Sequence, residues 1–241
     1  MATGPQRDYF GRTTPAGARA AEIDVGLRAH MQKVFGLMGL GTAITGLVAF
    51  FTANSPTMLQ LLFGTGLRYL VIFAPLAFVL VLSFGIQRMR ASTAQMVFWL
   101  FAAVMGLSLA SIFLVYTGQS IVMTFFVSSA TFFAMALYGY TTKRDLTGWG
   151  SFLFMGLIGL IVASLVGLFV QSSALQFAIS VIGVLIFTGL TAYDTQKIKE
   201  MYYAGDSAEI GGKKAIMGAL SLYLDFINLF LYLLRFIGDR R

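Results

Sequence analysis

From residue 33 onward the chain alternates long apolar blocks with short polar breaks. Seven blocks stand out, at about 33–53, 69–87, 94–115, 120–141, 149–170, 175–196 and 216–237. Each approaches the roughly 20 residues that a bilayer-spanning helix needs. The pattern therefore predicts an all-α integral membrane protein with seven transmembrane helices. Asn54-Ser55-Pro56 ends the first, and Pro75 should kink the second. Most breaks are short, so neighbouring helices should run antiparallel. The longest connection is the charged stretch Lys197–Lys214, with Gly205, Gly211 and Gly212. Glycines within the blocks (Gly36, Gly39, Gly41, Gly46, Gly156, Gly159, Gly167) allow close helix contacts. Residues 1–30 are mixed and polar, with Arg7, Arg12, Arg19 and Arg28. They are expected to form an N-terminal tail with a short interfacial helix over residues 23–31, ahead of a transmembrane domain over 31–241. A signal peptide fits poorly, because the first apolar run is too long and six more follow.

Composition strengthens this picture. The 241 residues are 58% hydrophobic and 11% charged, with a mean hydropathy of +0.81. A soluble domain is about half apolar and a quarter charged, so water-soluble folds are excluded. The net charge of +7 would suggest nucleic acid in a soluble protein. Here the charges sit on one set of loops, so they report orientation, the partner is the lipid bilayer, and nucleic acid is not expected. With the N-terminus in the cytoplasm, thirteen Lys and Arg lie on that side: Arg7, Arg12, Arg19, Arg28, Lys33, Arg88, Arg90, Lys143, Arg144, Lys197, Lys199, Lys213 and Lys214. Four lie opposite: Arg68, Arg235, Arg240 and Arg241. This predicts a multi-pass protein of the cell's inner (plasma) membrane. The last helix is the exception, since it puts three arginines outside. Either it spans fully, which is preferred, or it is re-entrant and buried by its neighbours. With no cysteine and a single histidine, His30, just before the first span, one chain can build neither a thiolate nor a multi-histidine metal site. No cofactor is expected.

Two aspartates break the apolar pattern, Asp194 in FTGLTAYDTQ and Asp225 in LSLYLDFINLF. An intramembrane carboxylate is expensive and by default marks an ion or proton path. Around Asp225, Gly218, Ser221, Asn228, Tyr232 and Arg235 recur at steps of three and four, which places them on one helical stripe. That stripe should face a cavity or a partner helix. Thr191 lies one turn before Asp194. Ser221, Asn228, Tyr232 and Thr191 are therefore candidates to line a path. If the sixth helix runs on toward Tyr203, Asp194 sits about 13 Å from its end and the two carboxyls share one depth. If it stops at Lys197, they differ by about 12 Å. Two carboxylates in low dielectric cannot both ionise cheaply, so a facing pair would share a proton. The protonated pair ties two helices together. The ionised pair favours a cation, an arginine or separation, and its oxygens suit a hard cation such as Ca²⁺ in transient contact. The plainer alternative is structural, with each Asp a cap or a partner to Tyr or Asn. Arg88, at the end of the second block, is either an ordinary cytoplasmic anchor or a partner for Asp194.

The segments TGLTAYDTQKIKEMYYAGD (Thr188–Asp206), SLYLDFINLFLYLLRF (Ser221–Phe236) and YGYTTKRDLTGWGSFL (Tyr138–Leu153) resemble the Bax inhibitor-1 family, its bacterial branch most of all. The resemblance extends from about residue 25 to the end. It implies seven helices with the last enclosed by the other six, and a pH-sensitive Ca²⁺ leak for which calcium is the permeant ion. It places the family's paired aspartate sensor on Asp194 and Asp225. Its latching arginine falls on Arg88, with Arg90 as the adjacent alternative. The basic N-terminal tail is a departure from the family pattern.

Three functions compete at this stage. The first is a cation leak gated by protonation of the pair. The second is a regulator without transport activity that docks another membrane protein, a protease or a death-pathway component, through its N-terminal tail. The third is an intramembrane aspartyl protease, which needs one carboxyl as acid and one as base. Such enzymes usually place G-x-G-D where this chain has Leu222-Tyr223-Leu224-Asp225, and bulky residues there obstruct a substrate backbone. The chain is accordingly expected not to be an enzyme, and no residue is assigned as catalytic.

Overall fold

A computed structural model describes the backbone of residues 15–170 and 172–241, with side chains from residue 25 onward. Its helices are α1 (Pro15–Ala53), α2 (Pro56–Phe63), α3 (Leu67–Gly85), α4 (Ala91–Leu109), α5 (Ile112–Val115), α6 (Gly118–Thr141), α7 (Thr147–Gly167), α8 (Ser173–Glu200) and α9 (Ala208–Ile237). Seven helical segments are long and apolar enough to cross a membrane: Val25–Ala53, Leu67–Gly85, Ala91–Val115, Gly118–Thr141, Thr147–Gly167, Ser173–Glu200 and Ala208–Ile237. The all-α, seven-span reading of the sequence holds.

Helix starts follow local chemistry. Ser55, Thr117, Ser172 and Ser207 each accept a hydrogen bond from a backbone N–H in the first turn of α2, α6, α8 and α9. Pro56 occupies the first position of α2, where a missing N–H costs nothing. Pro75 lies inside α3 without ending it.

Two stretches differ from the sequence expectation. α1 is continuous from Pro15, so the tail over 15–30 and the first span are one helix, with no separate interfacial segment over 23–31. Of the N-terminal tail proposed for docking, residues 1–14 lie outside the described residues. The stretch Lys197–Lys214 is mostly helical, and only Met201–Ser207 connects α8 to α9. Of its charges, Lys197 and Lys199 lie in the last turn of α8 and Glu209 in the first turn of α9. Each complements the local helix dipole.

α9 is the centre of the bundle. Two-thirds of its apolar window (67%) is buried, against 17–39% for the other six spans. It packs on α8, α1, α6 and α4, while α3 leans on α4 and α7 leans on α8. The last helix is thus enclosed mainly by four neighbours rather than six, because α3 and α7 form an outer layer. It spans fully, and its end docks at the face away from the α8–α9 turn. There Thr117 N donates to Asp239 O at 3.1 Å and Arg241 N to Val115 O at 3.0 Å. The re-entrant alternative is excluded.

Within the core, Tyr223 of α9 is fully buried against Phe98 and Phe101 of α4. Its hydroxyl lies 2.6 Å from Thr45 Oγ1, which also lies 2.8 Å from Ala102 O. One chain of hydrogen bonds thereby ties α9, α1 and α4. Tyr223→Phe should leave Thr45 short of a partner at a cost of about 1 kcal/mol. Thermal unfolding of the purified variant should show this as a loss of about 2–4 °C.

Candidate functional site

α8 is gripped by small residues on three sides. A side-chain carbon at Gly139 of α6 would strike the Ala192 carbonyl, one at Gly150 of α7 would strike the Tyr193 ring, and one at Gly218 of α9 would press on Ile198. On the α9 side the register is explicit. Gly218 lies against Ile198, and Gly183 lies against the Tyr232 ring. At the turn, Lys214 Nζ donates to Met201 O at 2.9 Å and pairs with Asp206 at 2.6 Å. This antiparallel register sets residue 194 level with residues 221–222, one helical turn from residue 225.

The sequence left two depths open, and the structure takes the first. α8 continues past Lys197 to Glu200, and the carboxyls of Asp194 and Asp225 lie within hydrogen-bonding reach of each other. Asp225 is buried, and Asp194 is half-buried. Asp225 Oδ2 is sealed from solvent and meets no hydrogen-bond donor among the described residues. Two ionised carboxylates offer each other only acceptors, whereas a proton on either one supplies the missing donor.

The pair opens on a cavity of about 650 Å³ between α7, α8 and α9. Of the proposed lining residues, Ser221, Asn228 and Tyr232 are there. Thr191 is not: it is fully buried, and its hydroxyl donates to Phe187 O at 2.7 Å within its own helix. The period that carries Asp194 to the cavity turns Thr191 toward the packed side. Asn228 keeps one amide proton for Leu224 O, at 2.8 Å. The Phe187 and Tyr232 rings stack at 5.7 Å between centroids and stand at one end of the cavity. Lys197 stands at the other end. Ten residues separate Phe187 from Lys197, or about 15 Å of helix.

Arg88 does not latch Asp194 here. It is exposed in the turn after α3, a helix whose main neighbours are α4 and α2. Arg90, before α4, is exposed too. Among the described residues neither pairs with Asp194. The basic group that lines the cavity is Lys197, one helical turn beyond Asp194, with its ammonium 5.8 Å from the Tyr193 ring centroid. Lys197 and Tyr193 were legible as i+3 and i−1 neighbours of Asp194. Gly150, the α7 residue that admits the Tyr193 ring, carried no signal of its own. No third His, Cys, Asp or Glu joins the two aspartates among the described residues.

The loop beside the site is braced. Gln196 accepts from Leu146 N and donates to Arg144 O, both at 2.8 Å. Asp145 accepts from Thr147 N at 2.8 Å, and its hydrogen bonds with Thr147 hold this exposed carboxyl below its ordinary range.

Residues 27–241 match the family model described as inhibitor of apoptosis-promoting Bax1. An uncharacterised protein of Rickettsia prowazekii is 51% identical over 234 residues, covering 97% of this chain and 99% of the relative. The inner membrane protein YbhL of Escherichia coli K12 is 51% identical over 220 residues, covering 90% and 94%. An uncharacterised protein of Caulobacter vibrioides is 45% identical over 247 residues, covering 96% and 97%. With a seven-span bundle, near full-length relatives and a family match over most of its residues, this chain belongs to the Bax inhibitor-1 family.

Proposed function

We propose that the protein is a passive, proton-gated path for cations, Ca²⁺ among them. It would lie in the inner membrane, as its relative YbhL does by name, with the lysine-rich face toward the cytoplasm. The observation that carries this reading is the facing pair Asp194 and Asp225 beside a cavity, with Asp225 Oδ2 lacking a donor. The number of protons on the pair sets the force between α8 and α9, which connects acidity to helix spacing.

Ca²⁺ is treated as cargo. It takes about 6–8 oxygen ligands when held firmly, and the cavity offers two carboxylates, the Asn228 carbonyl, hydroxyls and water. Such a site attracts the ion without retaining it, as conduction requires. Leu222 and Tyr223 are fully buried beside Asp225, so no glycine-lined approach exists there for a peptide backbone. Proton exchange is the chemistry assigned to the pair.

The test is Ca²⁺ uptake into reconstituted vesicles from about pH 5 to about pH 8, the range buried carboxyls can reach. Flux above that of protein-free vesicles, varying with pH, supports the reading, and its absence ends it. Accumulation against a gradient would identify an exchanger instead. The Phe187–Tyr232 stack should act as the barrier at the end of the cavity. Tyr232→Ala should raise flux severalfold at every pH. Equal flux in that variant would place the path elsewhere.

A further inference from the structure

α1 and α6 both pack on α9, yet they do not pack along each other. The gap between them is a groove with α9 as its floor. A cavity of about 700 Å³, lined by Arg28, Met31, Gln32, Phe35 and Tyr140, forms its mouth near the α8–α9 turn. Phe35 also lines a second cavity of about 280 Å³, bounded by Gly39, Ala43, Gly46, Phe133 and Phe226. Gly46 and Phe226 continue into a third cavity of about 350 Å³, which reaches Phe230. The mouth carries Arg28 and Gln32 beside apolar surface, and the two cavities beyond it are walled largely by glycine, alanine and aromatic rings. Ala43 and both glycines are exposed to the groove, and at Gly39 and Gly46 an added side-chain carbon would meet nothing within 4 Å.

We infer that this groove is a binding site for an anionic phospholipid of the leaflet on the Arg28 side, with its phosphate at the mouth and one acyl chain along α1. The groove lies within the spanning segments, so its surroundings are lipid tails and headgroups. The dimensions agree. Phe35 lies about 10 Å and Gly46 about 27 Å below Arg28 along the helix. A leaflet's hydrocarbon is about 15 Å deep, half of the bilayer core. A chain whose headgroup rests at Arg28 therefore has its tail in the nearer apolar cavity, beside Phe35, Gly39 and Ala43. Charge selects the headgroup. Arg28 is positive and lines the mouth, and Lys199 Nζ stands 5.5 Å from the ring of Tyr140, another lining residue. A guanidinium carries five N–H donors, so Arg28 can serve a protein neighbour and a phosphate together.

The test is native mass spectrometry of the full chain with phosphatidylglycerol or phosphatidylcholine. Wild type should retain phosphatidylglycerol in preference to phosphatidylcholine. Arg28→Gln should weaken phosphatidylglycerol retention about fivefold, the effect of one basic residue at a membrane surface. Gly39→Leu should abolish retention by filling the groove. Ala43→Leu, on an exposed lining position, repeats the block without changing a glycine, and melting curves report whether each variant is folded. Equal retention of the two lipids, unchanged retention in a folded groove-filling variant or in Arg28→Gln, or a dimer in place of lipid adducts would each overturn the inference.

Discussion

Replacing Asp225 with Asn should flatten the pH profile of Ca²⁺ flux. Asn has nearly the shape of Asp and keeps one acceptor oxygen, so α9 retains its packing. Its amide donates permanently to Asp194, which fixes the hydrogen bond that a proton would otherwise make and break. The pair can then no longer change between tied and repelling forms. Flux in wild type should vary by about tenfold across the titration, the change that 1.4 kcal/mol of coupling produces. The variant should vary by less than about twofold, and Asp194→Asn should behave alike because both carboxyls belong to one titrating unit. Measurement in vesicles with matched protein content decides the matter. A variant that keeps the full pH response would remove the pair from the gate.

Gly139→Ala should be the most damaging single-methyl change in the bundle. Gly139 of α6 faces the backbone of α8 at Ala192, and an added carbon would strike that carbonyl. No side chain can rotate away, so a whole helix must shift. Overpacking of this kind costs about 1–3 kcal/mol, or about 2–12 °C in midpoint for a domain of this size. Gly159→Ala is the matched control. Nothing lies within 4 Å of its new carbon, and alanine favours helix over glycine by about 1 kcal/mol, so its melting point should hold or rise. The displaced α6–α8 contact lies two residues from Asp194. Gly139→Ala should therefore also disturb the flux profile in whatever fraction folds.

The spans were legible in the sequence because bilayer burial is a property of composition over about 20 residues, and the seven blocks carry it without help from tertiary contacts. The stripe on α9 was legible for the same reason: Ser221, Asp225, Asn228 and Tyr232 repeat with the helical period, and the structure turns all four to one cavity. Thr191 failed the same test. It is a helical neighbour of Asp194, but a hydroxyl can bond its own backbone, so polarity alone did not say which way it faced. Arg88 failed for a different reason. Its chain position fixed its depth and side, but its lateral position depends on which helices pack together, and α3 lies in the outer layer. The meeting of the two aspartates needed the length of α8, which the charged run after Lys197 concealed.

The lysines that set the charge bias do more than orient the chain. Lys199 reaches Tyr140 O, Lys214 reaches Met201 O and Lys213 reaches Gln87 O, at 2.8, 2.9 and 3.3 Å. Each ammonium thus occupies a carbonyl at or beyond a helix C-terminus that would otherwise lack a partner. Together with Gln196 they form a collar around the lower rim of the bundle. A collar of that kind works as a pivot: helices clamped at one rim can part only by fanning at the other. Acetylating the lysines, or raising salt enough to loosen them, should therefore alter the stiffness of the hinge before it alters the fold.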